Sequence, residues 1–255
     1  MLLELNFYSK ELRRETQISV ILPRPVEGEA TGQKVLWLFH GLTDNHTTWM
    51  RRSSIERYAD ANNLAVVMPN VDRSWYTETA GGANYFAFVT KELPELCYNT
   101  FKSFSKKRED HFIGGLSMGG YGALKAALTY PEQYCACISL SGALDIPHYG
   151  DQYRKNEMQS IFGFEMESCL ELVGGKEDVF ALAKENQKKG LPFPKIFMWC
   201  GLEDSLLPAN RAFDGHLSAL GVAHHYEESE GNHSWKWWDL YIERAIRYVL
   251  DSESK

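Results

Sequence analysis

No apolar run in the 255-residue chain approaches the roughly 18 residues of a membrane-spanning helix, so no membrane partner is expected. Positive charge is not in surplus: 27 Lys and Arg stand against 34 Asp and Glu, a net charge of −7. That balance excludes the basic patch of a nucleic-acid binder and reads as an ordinary soluble acidic protein. The start, Met1-Leu2-Leu3-Glu4-Leu5-Asn6-Phe7, has no basic stretch followed by an uncharged apolar one, so no signal peptide is read in it. Cysteine is sparse and odd in number (Cys97, Cys135, Cys137, Cys169 and Cys200). This argues against a disulfide framework and predicts reduced core thiols in a cytoplasmic protein. The sequons at Asn45 and Asn232 adjoin segments assigned below to the site, where a glycan would obstruct access. No His-Glu-x-x-His or Cys/His spacing suits zinc, so neither metal nor cofactor is expected. Repeats, low-complexity runs and a dividing linker are also missing, and residues 1–255 read as one domain.

What is present alternates. Extended apolar segments are expected at Leu2–Tyr8, Thr16–Leu22, Val35–Phe39, Ala65–Met68, Phe112–Leu116, Ala136–Leu140, Ile196–Cys200 and His224–Glu228. Helices are expected at Ser53–Asn62, Phe86–Phe101, Met118–Tyr130, Pro208–Leu220 and Trp235–Leu250. The pattern predicts an α/β fold: a mostly parallel eight-stranded sheet with helices on both faces. The first two strands, joined through a polar Lys10–Glu15 turn, can form an antiparallel leading hairpin, and Pro23–Lys34 reads as an exposed connection. Between Leu144 and Pro194 the alternation weakens, which reads as an insertion after the sixth strand with short helices, Phe180–Lys188 among them.

Residues 114–122 carry the chemistry: Gly-Gly-Leu-Ser-Met-Gly-Gly-Tyr-Gly. An apolar run precedes them and a helix-prone run follows, so Ser117 stands on a strand-turn-helix, the context of a nucleophile elbow. A serine hydroxyl needs a base to take its proton and an acid to orient that base. Downstream, one strand ends at Gly201-Leu202-Glu203-Asp204 and the next at Glu230-Gly231-Asn232-His233. Asp204 is therefore the expected acid and His233 the expected base. Glu203 is the alternative acid, disfavoured by its longer side chain and earlier turn position. The oxyanion donors are expected to be the N–H groups of Met118 and of Leu42, in the loop His40-Gly41-Leu42-Thr43-Asp44. His40 is expected to brace that loop. Trp75, Tyr76, Tyr121 and Trp235 are expected to form an aromatic substrate rim, to which Arg51, Arg52 and Arg73 can contribute.

The set His40-Gly41-Leu42-Thr43-Asp44-Asn45-His46-Thr47-Thr48-Trp49, Met68-Pro69-Asn70, Trp75-Tyr76-Thr77, Gly115–Gly122, Gly201–Asp204 and His233-Ser234-Trp235 resembles the esterase D-like branch of α/β hydrolases. Within that branch it is most similar to the bacterial tributyrin esterases. The resemblance spans nearly the whole chain and implies an α/β-hydrolase fold. It also implies a serine carboxylesterase for short acyl esters, acetylated carbohydrates included, with Ser117, Asp204 and His233 as triad. Residues 144–194 would then roof the site, and a dimer or tetramer is implied. An S-formylglutathione thioesterase and a feruloyl esterase share the branch. A lipase is disfavoured because no long amphipathic lid is evident. A non-catalytic binding protein of this fold is disfavoured because no triad member is missing.

Overall fold

Parallel strands covered by helices on both sides bury both faces, so they are written as continuous apolar runs rather than alternating ones. The computed structural model, which describes residues 1–23 and 32–251, turns those runs into an eight-stranded sheet. The expected connection at Pro23–Lys34 lies largely outside the described residues. The strands are β1 (Leu2–Ser9), β2 (Arg14–Ile21), β3 (Lys34–Phe39), β4 (Leu64–Pro69), β5 (His111–Leu116), β6 (Ala136–Leu140), β7 (Lys195–Gly201) and β8 (His224–Ser229). Their spatial order is β1-β2-β4-β3-β5-β6-β7-β8. β1 and β2 form the leading hairpin, with Leu2 opposite Ile21 and Ser9 opposite Arg14. β2 joins β4 antiparallel, and every later pairing is parallel.

The helices are α1 (Thr48–Arg52), α2 (Ile55–Ala61), α3 (Tyr85–Ala87), α4 (Leu93–Thr100), α5 (Met118–Thr129), α6 (Ile146–Tyr153), α7 (Lys155–Phe162), α8 (Val179–Lys189), α9 (Leu207–Ala219) and α10 (Trp235–Leu250). The expected helix Ser53–Asn62 is α2, which starts two residues later because Ser53 caps the end of α1, its hydroxyl donating to the Trp49 carbonyl at 2.6 Å. One expected helix differs. Phe86–Phe101 contains a π-turn over Phe88–Glu92. Pro94 has no N–H to offer the Thr90 carbonyl, and the helix widens just before it.

Alternation along β3 divides the core. Val35, Trp37 and Phe39 point to one face with Met118, Tyr121 and Leu124 of α5 and Phe213 and Leu217 of α9. Leu36 and Leu38 point to the other, with Ile55 and Tyr58 of α2 and Trp238, Ile242 and Ile246 of α10. Buried side chains of this size contribute about 1.5–3 kcal/mol each, so the two layers hold the sheet rigid beneath the loops at its carboxyl edge. Residues 144–194 supply α6, α7, a 3₁₀ turn at Cys169–Leu172 and α8. Among the described residues no helix is long and apolar enough to cross a membrane.

Candidate active site

The turn between β5 and α5 fixes Ser117 with φ 53° and ψ −119°, a left-handed conformation that a non-glycine residue adopts at a cost of about 1–3 kcal/mol. The close approach of strand and helix explains the glycine pattern. A Cβ on Gly119 would sit 2.5 Å from the Phe39 carbonyl oxygen and 2.7 Å from that of His40. Ser117 Oγ lies 3.0 Å from His233 Nε2, and His233 Nδ1 lies 2.8 Å from Asp204 Oδ2. These three side chains come from the ends of β5, β7 and β8, neighbouring or near-neighbouring strands of one sheet.

The Asp204 side chain is fully buried. Burial alone would raise its carboxyl, but hydrogen bonds from His233, the Leu206 N–H and the Ser141 hydroxyl hold it below the usual carboxylate range. The Leu206 N–H donates to Oδ1 at 2.9 Å, leaving Oδ2 for His233. An ionised Asp204 accepts from Nδ1–H, so Nε2 of neutral His233 carries the lone pair that faces the Ser117 hydroxyl. Trp238 meets the imidazole edge-on, ring centres 4.8 Å apart. Glu203 has a different occupation. Its Oε2 accepts from the Gly231 N–H at 2.6 Å, and its own N–H donates to the Gly231 carbonyl at 2.8 Å. It clasps the loop that carries His233.

Across the serine, the N–H groups of Leu42 and Met118 have no hydrogen-bond partner among the described residues. The loop bearing Leu42 is pinned around His40. The Val71 N–H donates to His40 Nε2 at 3.1 Å, so Nδ1 carries the proton and donates to the Gly41 carbonyl at 2.7 Å. The Tyr76 hydroxyl donates to the His40 carbonyl at 2.9 Å. Asp44 closes the turn by accepting from the Gly41 N–H at 3.3 Å.

A family model described as "Putative esterase" matches residues 9–248. The chain belongs to this esterase family of α/β hydrolases. It is 36% identical to an acetyl esterase of Caldicellulosiruptor saccharolyticus, with 97% of each chain covered. Among solved structures it superposes on FphF, a fluorophosphonate-binding serine hydrolase of Staphylococcus aureus, with a TM-score of 0.91, 33% identity and 99% of each chain covered. The S-formylglutathione hydrolase FrmB of the same organism gives a TM-score of 0.84 at 32% identity, covering 98% of this chain and 99% of that one.

In the esterase, Ser117 opens into a cleft of about 740 Å³. Trp75 and Trp235 line it, as the sequence suggests, with Tyr149 and Trp238. Tyr76 and Tyr121 do not. Both are fully buried and spend their hydroxyls inside, Tyr76 on the His40 carbonyl and Tyr121 on Glu177. A buried phenol requires a partner, and these partners lie behind the cleft wall. The cations at the rim also differ from those expected. Arg52, Arg154 and Lys236 line it, whereas Arg73 pairs with Glu157 at 2.9 Å and Arg51 donates to Thr47 at 2.9 Å. Tyr149 and Arg154 lie in the 144–194 segment, whose sequence offers no periodic relation to the elbow. Trp238 was legible only as part of the α10 core stripe.

Burial drives His40 from its ordinary value of 6.5 down to about 4, against the hydrogen bond to Gly41 that pulls it up. Between those two values the unfolded chain takes up a proton that the native esterase refuses, so stability falls as pH falls. For this buried group the loss is about 3 kcal/mol at its full extent, at roughly 1.36 kcal/mol per unit. Urea unfolding across that window should show a shallower pH slope for His40→Gln than for wild type. Equal slopes would remove His40 as the source.

Proposed function

We propose that the protein is a serine carboxylesterase that cleaves short acyl esters through an acyl-enzyme on Ser117. The observation that carries this reading is the continuous chain Asp204–His233–Ser117, with the Leu42 and Met118 N–H groups beside it unpartnered among the described residues. Ser117 Oγ attacks the ester carbonyl carbon as its proton passes to His233 Nε2, and Asp204 stabilises the imidazolium. The Leu42 and Met118 amides receive the oxyanion, aided by the positive end of α5. Collapse breaks the bond to the alcohol, which leaves with the proton from His233. Water then attacks the acyl carbon with His233 as base, the bond to Ser117 Oγ breaks, the carboxylic acid leaves and Ser117 recovers its proton from His233.

The substrate we assign is an ester of a small acid, an acetylated carbohydrate among the candidates. Trp75, Leu206 and Trp238 wall the cleft into which Ser117 opens. A continuing apolar pocket would add about 0.8 kcal/mol per methylene, so activity would climb with chain length; a walled one gives a maximum at about two to four carbons. We expect kcat/KM on p-nitrophenyl esters to fall from butyrate to octanoate, and Trp75→Ala to move the optimum to longer chains. An enzyme that prefers octanoate would overturn the assignment.

The cations Arg52, Arg154 and Lys236 support a second reading, a thioesterase for an anionic leaving group such as S-formylglutathione. A kcat/KM for S-formylglutathione well above that for p-nitrophenyl acetate would select it. We read the chain as one domain with 144–194 as a cap-like insertion, since Tyr149 and Arg154 reach the cleft from it. The buried thiols of Cys97, Cys137 and Cys200, in no disulfide among the described residues, support a cytoplasmic home. A homodimer or homotetramer is carried by the family resemblance.

A further inference from the structure

Behind the cleft wall lies a buried ion pair that the reaction does not use. Lys125 of α5 and Glu177, just before α8, are in direct contact with side chains only 1% and 4% exposed. Burying two charges is expensive, and well-packed apolar residues in their place are often as stable or more so. The pair therefore calls for an explanation other than stability, and its contacts supply one. Lys125 Nζ donates to the Tyr76 carbonyl at 3.1 Å. Glu177 Oε1 accepts from the Thr77 hydroxyl at 2.7 Å, and Oε2 accepts from the Tyr121 hydroxyl at 3.0 Å.

Tyr76 and Thr77 close a strained corner. Trp75 has φ 53° and Tyr76 φ 51°, two successive left-handed residues with no glycine between them. Such residues persist only where their surroundings over-determine them. Trp75 does not anchor itself by its polar atom, since its buried indole N–H has no partner. The indole packs on Tyr121 and Tyr149, ring centres 6.3 and 6.0 Å away. Tyr76 lies over Gly122, where a Cβ would collide with its ring. One ammonium and one carboxylate thus hold the backbone of Tyr76, the side chain of Thr77 and the tyrosine against which Trp75 rests.

We propose that the Lys125–Glu177 pair is a positioning device that sets the acyl-chain selectivity, by locking the Trp75–Tyr76 corner and so holding Trp75 in place as a wall of the acyl pocket. This rests on the ester-hydrolase reading above.

The test is the double variant Lys125→Met/Glu177→Leu, which removes both charges and leaves neither unpaired. Steady-state kcat and KM on p-nitrophenyl acetate, butyrate and hexanoate are compared with wild type. We expect acetate kcat to stay within about threefold, and the hexanoate-to-acetate ratio of kcat/KM to rise about tenfold. Adding Trp75→Ala to the double variant should raise the ratio no further, because both changes remove the same wall. An unchanged ratio in a folded double variant would overturn the proposal and leave the pair a structural one. If the double variant fails to fold, Thr77→Val/Tyr121→Phe severs the neutral bonds to Glu177; the same rise supports the proposal and an unchanged ratio overturns it. Wild-type protein without turnover of any of the three esters would overturn the ester reading and the proposal together, whereas wild-type turnover with an unchanged ratio overturns the proposal alone.

Discussion

Ser117→Ala is expected to fold normally and to retain on the order of 10⁻⁶ of the wild-type kcat, the loss seen when the nucleophile of a comparable triad is removed. The hydroxyl's hydrogen bond is to His233, half-exposed at the cleft, so its removal leaves no buried group stranded. The strain at φ 53° is set by the turn and is present for alanine as for serine. What disappears is the hydroxyl that the imidazole faces. Residual turnover would come from binding and the oxyanion donors. Retention of a tenth of wild-type turnover on p-nitrophenyl acetate would mean that another residue forms the acyl-enzyme.

Asp204→Asn is expected to lower kcat by about 10⁴, the size of the tautomer effect in a well-studied protease triad. The reason lies in the two oxygens. Oδ1 accepts from the Leu206 N–H, so an asparagine keeps its oxygen there and turns its NH₂ toward His233. That forces the imidazole proton onto Nε2 and removes the lone pair that faces Ser117. Glu203→Gln should cost far less, because a glutamine oxygen still accepts from the Gly231 N–H. Steady-state kinetics of the two variants side by side decide between the acids. Equal losses, or the larger loss at Glu203, would reverse the assignment.

The parts of the molecule legible from sequence are those whose signals are local. The run Val35–Phe39 must be extended and covered on both faces, and Gly115 to Gly119 around a serine admits little but a tight strand-to-helix turn. Asp204 and His233 could be named because strand ends deliver their loops to one edge in a fixed order. The direction of an aromatic side chain is not local. Tyr76 turns inward to a carbonyl 36 residues away and Tyr121 to a carboxylate 56 residues away, and nothing beside either residue announces those partners. The same holds for Arg154 and Tyr149, which reach the cleft through the path of the 144–194 segment rather than through any periodicity. The π-turn before Pro94 was hidden within an otherwise continuous helical pattern.

In the proposed mechanism His233 and Asp204 make Ser117 the nucleophile. Reaction with a fluorophosphonate, followed by proteolysis and peptide mass spectrometry, reads that directly, because the reagent bonds to an activated serine oxygen. We expect one label per chain, located on Ser117 and lost in His233→Ala; a label on a different residue, or none on the folded wild-type protein, would mean that Ser117 is not the activated nucleophile.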